Sequence, residues 1–320
     1  MKIIYKKIPS KKIECIATIG VFDGVHLGHQ FILKKVKKYA LQNKLPSLVI
    51  TFDFPPQKLL KKNFLGCITD FEDKKNFIKS LGIDYLWILK TNLKLLKYNE
   101  EKFIKYLSRY FYLHTFIVGE DFRFGYQAKA DIFTLKNLAR KYNFNLIVLK
   151  KKRKNKEVIS SSLIRENIKK GDFKKVKSFL GRSYYLKGKV IKGKGFGRKI
   201  GFPTANLEIK NYVIPEEGVY AVYVYINKRK YLGAFNIGRK NLPYPSKKVC
   251  LEVHILNFKK RIYGKMIKIL FLEKLREEEK FSSWQDLKAK IKEDIQFLLK
   301  KYSSSSQNIV SFYQPIHNLL

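Results

Sequence analysis

The sequence predicts an α/β fold followed by a β fold: a doubly wound parallel sheet, then a small antiparallel β-barrel with a C-terminal helix. In the first half, apolar runs of strand length alternate with helical patterns, which is typical of a parallel sheet covered by helices. After Ser183 the pattern changes to period-two alternation with hairpin turns. With 320 residues and 45% hydrophobic content, the chain is long enough for two domains, each with its own core.

Five apolar runs in the first half are predicted to be strands, at residues 15–19, 48–51, 85–89, 116–118 and 146–149. Helical patterns separate them; Ile32, Val36 and Tyr39, for example, share one face of the first helix. In a parallel sheet of this kind, ligands bind at the carboxyl ends of the strands. The loop after the first strand is therefore the first place to look for a site.

That loop reads Gly20-Val21-Phe22-Asp23-Gly24-Val25-His26-Leu27-Gly28-His29. Its glycines predict a sharp turn, with a helix starting near Gly28. His26 and His29 are three residues apart, so both rings can reach one phosphate group near the positive end of the helix dipole. The alternative is metal binding by the histidine pair, but no nearby cysteine completes a zinc site.

Three further features lie in the first half. The segment 119–125 follows the fourth strand and can bring Asp121 and Arg123 to the same rim of the sheet. A basic block at residues 150–156 is expected in an exposed loop. Ser160, Ser161 and Ser162 then precede a helix that carries Arg165; serines at this position either cap the helix or hold a phosphate. A second helix ends at Gly181, which we take as the domain boundary.

The second half begins with a glycine-rich, basic loop at residues 193–206. Glycine lets backbone N–H groups approach a phosphate, and the flanking cations add positive charge. Hydroxyl and amide oxygens of Thr204 and Asn206 suit Mg²⁺. The spacing is not that of a P-loop. The alternative is a hairpin that merely carries surface lysines. The residues assigned to phosphate binding are Gly193, Gly195, Gly197 and Arg198.

The barrel strands are predicted at residues 184–191, 218–226, 231–237, 249–256 and 266–272, with a turn at Asn227-Lys228 and a helix over 284–299 packed against them. Glu252 is a carboxylate in an apolar strand and is a candidate catalytic base; pairing with a lysine across the sheet is the alternative. The tail from 303 to 320, which contains His317, is expected to be poorly ordered.

The formal charge of +41 suggests nucleic acid as a partner, but most of the 67 basic residues are lysines spread along the whole chain. Nucleic-acid binding usually concentrates charge into a stripe with arginine and stacking aromatics, so we expect no specific nucleic-acid partner. Three cysteines, an odd number in or near apolar runs, indicate reduced thiols in the cytoplasm. No stretch approaches the roughly 20 apolar residues that span a bilayer, so no membrane association is expected.

The two motif sets together resemble the bacterial bifunctional riboflavin kinase and FMN adenylyltransferase (FAD synthetase) family over nearly the whole chain. The resemblance includes the segments 20–29 and 193–206, with weaker matches at 119–125, 159–165, 215–220 and 252–254. It implies an adenylyltransferase domain at 1–181 and a kinase domain with a six-stranded barrel at 182–302. The first reaction would phosphorylate riboflavin to FMN, and the second would transfer AMP from ATP to FMN, giving FAD and pyrophosphate.

The resemblance also implies roles for individual residues. Glu252 would be the kinase base, and His26 and His29 would steady the phosphates during adenylyl transfer. ATP, Mg²⁺ and the flavins would be the small-molecule partners. The remaining assignments to ATP or phosphate are Gly20, Phe22, Asp23, Gly24, Gly28, Ser160, Ser161 and Arg165. Those to flavin are Asp121, Phe122, Arg123, Arg276 and Glu278.

The chain departs from the family pattern at several points. After the second strand it has Phe52-Asp53-Phe54-Pro55-Pro56, which lacks the histidine that the family usually shows there. The serine motif has Ser162 and Leu163 where threonine and a basic residue are common. Two alternatives therefore stay open: a kinase whose first domain is only a scaffold, and an RNA-binding protein on a nucleotidyltransferase-like fold.

Overall fold

The computed structural model describes residues 1–5, 11–60, 64–239 and 249–302. These residues form two compact units, which meet in the chain at Ser161 and Ser162. The predicted tail from 303 to 320, including His317, lies outside the described residues, as do residues 240–248.

A six-stranded parallel sheet is the centre of the first unit. Its strands lie in the order β1-β4-β3-β2-β5-β6 and all neighbours are parallel. From β2 the chain winds outward to one side and then crosses to the other, so β2 and β5 border the topological switch point. The strands are β1 (Lys2–Ile4), β2 (Ile13–Ile19), β3 (Ser47–Phe52), β4 (Tyr85–Leu89), β5 (Phe111–Gly119) and β6 (Asn145–Leu149).

The prediction of a doubly wound sheet is confirmed, and all five predicted runs lie within strands. The edge strand β1 was missed because three residues are too few for a periodic pattern. Its neighbour β4 supplies the pairing: Lys2, Ile3 and Ile4 lie in register with residues 85–87 of that strand. The short edge strand is therefore fixed by the tertiary fold.

Helices cover both faces of the sheet. Ile32, Val36 and Tyr39 pack on one face with Ile16 and Ile117, as their spacing predicts. The other face is covered by apolar residues of the later helices. The helices are α1 (Leu27–Gln42), α2 (Gln57–Leu60), α3 (Phe71–Ser80), α4 (Leu93–Leu96), α5 (Glu100–Ser108) and α6 (Ile132–Lys141).

The basic block is predicted to be a loop, but it includes the first strand and the turn of a two-stranded antiparallel hairpin of β7 (Arg153–Lys154) and β8 (Glu157–Val158). The helices α7 (Ser161–Lys170) and α8 (Phe173–Leu180) follow. They belong almost entirely to the second unit, so the division differs from the predicted boundary at Gly181. The physical reason is that Phe173 stacks on Phe271 at a centroid distance of 4.6 Å and is buried there.

A closed antiparallel barrel forms the second unit, with strand order β10-β13-β12-β11-β14-β9. Tyr220, Phe235 and Phe271 are buried and contact one another inside it. The strands are β9 (Tyr185–Ile191), β10 (Thr204–Glu208), β11 (Gly218–Ile226), β12 (Arg229–Arg239), β13 (Val249–Ile255) and β14 (Met266–Arg276). The prediction of a six-stranded barrel is confirmed. Strand β10 is not predicted by the sequence pattern, which indicates only a glycine-rich loop up to residue 206.

Two helices accompany the barrel. The short α9 (Phe196–Lys199) lies in the glycine-rich loop, and α10 (Trp284–Tyr302) packs on the outside of β12, as predicted. Leu298 of α10 is fully buried with Ala221, Leu232 and Leu256. Among the residues that the structure describes, no helix combines the length and the apolar character that crossing a membrane requires.

Candidate active sites

The first candidate site is the loop between β2 and α1, at the switch point of the sheet. Phe22, Gly24 and Val25 have positive φ values of 49°, 82° and 40°, so the backbone turns sharply. The Phe22 ring lies over Gly20, where a Cβ atom would come within 3.0 Å of it. The glycines therefore let the loop fold tightly against the sheet.

His26 and His29 lie together at the start of α1, as the spacing predicts. Their rings stack with a centroid distance of 3.6 Å and an interplanar angle of 18°. The Nδ1 atom of His26 also accepts a hydrogen bond from the backbone N–H of His29 at 3.2 Å, which caps the helix. A Cβ atom on Gly28 would come 3.1 Å from the His26 ring, so glycine leaves room for this arrangement.

Asp23 holds another loop in place. Its carboxylate is buried and accepts hydrogen bonds from the backbone N–H groups of Ile68, at 3.0 and 3.1 Å, and of Thr69, at 3.4 Å. Ile68 in turn lies against Gly24. The structure thus gives Asp23 a positioning role, and direct contact with ATP stays a prediction.

The serine motif returns to this loop although it is more than 130 residues away in sequence. The Ser161 hydroxyl donates to the backbone carbonyl of Asp23 at 3.2 Å. The Ile159 carbonyl lies 3.5 Å from the position that a Cβ atom would take on Gly28. The two predicted phosphate motifs therefore meet within the first unit. Arg165 lies in α7 and belongs to the second unit, and its contact with nucleotide stays a prediction.

The segment after β5 carries the predicted flavin residues of the first unit. Asp121 and Arg123 are exposed; Asp121 pairs with Lys151 at 3.1 Å and Arg123 with Asp131 at 3.6 Å. Phe122 is partly buried and stacks on a neighbouring aromatic ring of the core at a centroid distance of 5.4 Å. Phe122 thus supports the loop, and flavin contact by the three residues stays a prediction.

Sequence reasoning missed Lys74, a buried cation of α3. Its Nζ donates to the Phe52 carbonyl at 2.9 Å and to the Val21 carbonyl and the Thr51 hydroxyl at 3.3 Å each. Only 5% of the residue is exposed, and burial lowers its pKa to about 8 against the opposing attraction of Asp23. Lys74 thus ties the end of β3 to the loop that follows β2. A lysine on the helix stripe between Phe71 and Ile78 was the available signal.

The second candidate site begins in the glycine-rich loop before β10. A Cβ atom on Gly193 would overlap the side chain of Asn206, and one on Gly197 would overlap the Phe202 carbonyl and touch Thr204. These glycines therefore allow the loop to close on the two predicted metal ligands. Gly195 has a φ of 75° and faces open space, and Arg198 is exposed on α9.

Glu252 lies at the centre of a row of polar residues on three neighbouring strands. In the strand register it is directly opposite Asn206 of β10 on one side and Asn236 of β12 on the other. The Thr204 hydroxyl donates to its Oε2 atom at 3.1 Å. The alternating residues Phe235 and Val253 point into the barrel core, so this row faces outward.

A cavity of about 210 Å³ lies over this row. Its lining includes Thr204, Asn236, Glu252, Arg276, Glu278 and Phe281. The Glu278 carboxylate packs closely on Gly238, and it would have to move to admit a Cβ atom there. Burial raises the pKa of Glu278 to about 7, and the nearby carboxylates of Glu217, Glu252 and Glu279 add to the shift while Arg276 opposes it. The cavity therefore brings together the predicted base and both predicted flavin residues of the barrel.

Arg276 is held at this cavity by Asp294, a residue of α10 that sequence reasoning missed. The Nε atom of Arg276 donates to both carboxylate oxygens of Asp294, at 3.0 and 3.3 Å, and both side chains are nearly buried. The guanidinium lies 5.7 Å from the centroid of the Phe281 ring. An aspartate among the apolar positions of a terminal helix is a weak signal, and its partner is evident only in the fold.

Comparison with known proteins gives results for both units. Residues 8–163 match the family model of FAD synthetase, and residues 180–302 match that of riboflavin kinase. A protein of Buchnera aphidicola subsp. Schizaphis graminum, named bifunctional riboflavin kinase/FMN adenylyltransferase, is 37% identical over 303 residues, covering 93% of this chain and 96% of its own. Proteins with the same name from Bacillus subtilis and Escherichia coli K12 are 34% and 30% identical, covering 93% and 88% of this chain and 95% and 90% of their own.

A solved structure also has the same arrangement of elements. A crystal structure from Streptococcus pneumoniae, described as a macrolide-efflux protein, has a TM-score of 0.81 and 27% identity, and the match covers 94% of this chain and all of that one. That description does not agree with the names of the sequence relatives. The two family models agree with the names of the sequence relatives.

Proposed function

The chain belongs to the family of bifunctional riboflavin kinase/FMN adenylyltransferases, and we propose how its own residues divide the two reactions. It phosphorylates riboflavin with ATP to give FMN, and it then transfers AMP from ATP to FMN to give FAD and pyrophosphate. We assign the adenylyl transfer to the first unit and the phosphorylation to the barrel. The family models match these two parts of the chain in that order.

Glu252 is the base of the kinase reaction. It accepts the proton of the terminal ribityl hydroxyl as that oxygen forms a bond to the γ-phosphorus of ATP, and the bond to ADP breaks. The observation that supports this most strongly is the position of Glu252 at the cavity, 3.1 Å from the Thr204 hydroxyl and in register with Asn206. Arg276 and Glu278 line the same cavity and contact the flavin.

Thr204 and Asn206 hold Mg²⁺ in this proposal. A hydroxyl and an amide oxygen are suitable ligands, because Mg²⁺ prefers oxygen and takes its remaining ligands from water and substrate phosphates. The close approach of Gly193 and Gly197 to these two side chains supports the assignment, since a Cβ atom at either glycine would fill the space beside them. When bound, the ion neutralises the charge of the phosphates. Gly195 and Arg198 bind phosphate from the same loop.

In the first unit, His26 and His29 bind the phosphates of the second ATP. An oxygen of the FMN phosphate attacks the α-phosphorus of ATP and pyrophosphate leaves, so the protein positions the groups and neutralises charge without a covalent intermediate. The stacked rings at the positive end of α1 support this role. Ser160 and Ser161 extend the phosphate site, and Asp121, Phe122 and Arg123 hold FMN.

We also propose that the protein works in the cytoplasm. The support for this is the cysteine content: Cys15, Cys67 and Cys250 are odd in number and lie in or near apolar runs, which is typical of a reducing compartment.

The test is a time course of the full chain with riboflavin and ATP, with and without Mg²⁺, in which the flavins are separated. We expect FMN to appear first and FAD to follow, and a chelator to stop both reactions. FMN without FAD would contradict the assignment of the first unit. No flavin product at all would contradict the proposal for both units.

A further inference from the structure

The kinase cavity contains a polar residue to which neither the sequence motifs nor the proposed reaction gives a role. Asn236 lies on β12, directly opposite Glu252 in the strand register, and lines the cavity. Its amide oxygen is buried and has no hydrogen-bond partner in the described part of the chain. A buried carbonyl without a partner costs free energy, so an asparagine at this position requires an explanation.

The surroundings of Asn236 do not supply a structural reason for an amide. The residues on either side of it in sequence, Phe235 and Ile237, are buried in the barrel core, whereas Ala234 and Gly238 share its outward face and line the same cavity. An apolar residue of similar size would satisfy this position equally well if packing were its purpose. A bound ligand is therefore the most suitable hydrogen-bond partner for the amide.

The strand order indicates which part of the substrate reaches Asn236. The predicted metal ligands Thr204 and Asn206 lie on β10, on one side of Glu252, and Asn236 lies on β12, on the other side. Residues directly opposite in neighbouring strands have Cβ atoms about 4.5–5.5 Å apart. If the phosphates lie towards β10, the substrate group within reach of Asn236 is the rest of the hydroxyl chain.

We propose that Asn236 is a further substrate-positioning residue of the kinase: its carboxamide hydrogen-bonds the ribityl chain of riboflavin next to the terminal hydroxyl that Glu252 activates. This inference rests on the proposed kinase site. It adds a side chain that holds the nucleophile in line, so that the proton reaches Glu252 while the oxygen faces the γ-phosphate. Asn236 therefore recognises the ribityl chain of the substrate and not the flavin ring.

The experiment compares a substrate that has the hydroxyl chain with a ring that lacks it. Steady-state phosphorylation by the full chain gives kcat/KM for riboflavin, and lumiflavin, in which a methyl group replaces the ribityl chain, is tested as a competitive inhibitor of that reaction. Both are measured for the wild type, Asn236→Leu and Asn236→Ala. Asn145→Leu, the same change at an exposed position of β6 in the first unit, is the control.

We expect kcat/KM for riboflavin to fall about tenfold or more in both Asn236 variants, the usual size for a lost hydrogen bond, while the inhibition constant of lumiflavin changes by less than about twofold. Both Asn236 variants, measured without ligand, should be as heat-stable as the wild type, because the described residues give the replaced amide oxygen no hydrogen-bond partner. The Asn145 control should leave every value unchanged.

Three results would overturn the inference: an unchanged kcat/KM, an equal loss for riboflavin and lumiflavin, or a lowered Tm in both ligand-free variants. The second result would mean that Asn236 contacts the flavin ring, and the third would mean that its role is to stabilise the fold. Formation of FMN by the wild type is measured first. Its absence would contradict the proposed function itself, which separates that failure from a failure at Asn236.

Discussion

The two sites of this protein are built in different ways. The first is made largely from one continuous strand, loop and helix, and the histidine pair lies within four residues of sequence. The second is made from residues on separate strands of a barrel, where Asn206, Asn236 and Glu252 become neighbours through strand register. Both sites bring glycines close to polar side chains, but the row of polar residues in the second depends on the register between strands.

This difference indicates where each site is vulnerable. In the first, local geometry is fixed by the helix start, and distant segments such as the one at Ser161 are attached to it by hydrogen bonds. In the second, the pairing of β10 with β13 places the predicted metal ligand Asn206 directly opposite the predicted base Glu252. We therefore expect the two activities to be separable by single substitutions, because the contacts described for each site lie within one unit.

The largest effect is expected for Glu252→Gln. Loss of general-base help should lower the rate of riboflavin phosphorylation by about 10²- to 10⁴-fold, while FAD formation from added FMN stays near that of the wild type. Separate assays of the two reactions measure this. Glu208→Gln, at an exposed position of β10, is the matched control and should be neutral. Equal loss of both activities would contradict the separation of the sites.

The next largest effect is expected for His29→Gln. Removal of a charge-assisted contact to phosphate should lower FAD formation from FMN and ATP by about 10- to 100-fold, with phosphorylation of riboflavin unaffected. The control is His114→Gln, a half-buried histidine of β5 that hydrogen-bonds Thr115 at 2.9 Å. If His29→Gln left FAD formation unchanged, the histidine pair would have no part in phosphate binding.

The two sites also differ in their buried titratable groups, and Lys74 provides the first test. Its pKa is about 8 in the folded protein, whereas an unperturbed lysine, as in the unfolded chain, has a pKa of 10.5. Between these values the unfolded chain binds more protons, so stability rises with pH. The difference in free energy of unfolding between the wild type and Lys74→Met should therefore shift in favour of the wild type by about 2 to 3 kcal/mol as the pH rises from 8 to 10.5. Urea unfolding measures the difference, and the exposed Lys79→Met should not show it.

Glu278 in the second site should show the opposite sign with a smaller magnitude. Its pKa is raised from 4.5 to about 7, so the folded state binds more protons between these values and stability falls as pH rises. Relative to Glu278→Gln, the wild type should lose about 1 to 2 kcal/mol from pH 4.5 to 7, after allowance for solvent screening of a half-buried group. Glu273→Gln should change in the other direction, because hydrogen bonds from Lys301 and Tyr302 lower the pKa of Glu273.

Much of the fold was predictable because periodic patterns report directly on which face of an element is buried. The five long apolar runs and the terminal helix were all found, whereas β1 and β10 were not. Strand β1 has three residues and β10 five, and both depend on a neighbouring strand for their conformation. The hairpin in the basic block was missed for the same reason, since two-residue strands exist only through their pairing.

The sequence by itself determined the two-part architecture, the two glycine-rich loops and the proximity of the two histidines, because these depend on residues that are close together in the chain. The tertiary structure alone decided which distant side chains share a site. It placed Lys74 between the end of β3 and the loop that follows β2, paired Arg276 with Asp294 across the outside of the barrel, and set Asn236 opposite Glu252. Contacts of this kind arise from strand register and helix packing, and neither leaves a local pattern in the sequence.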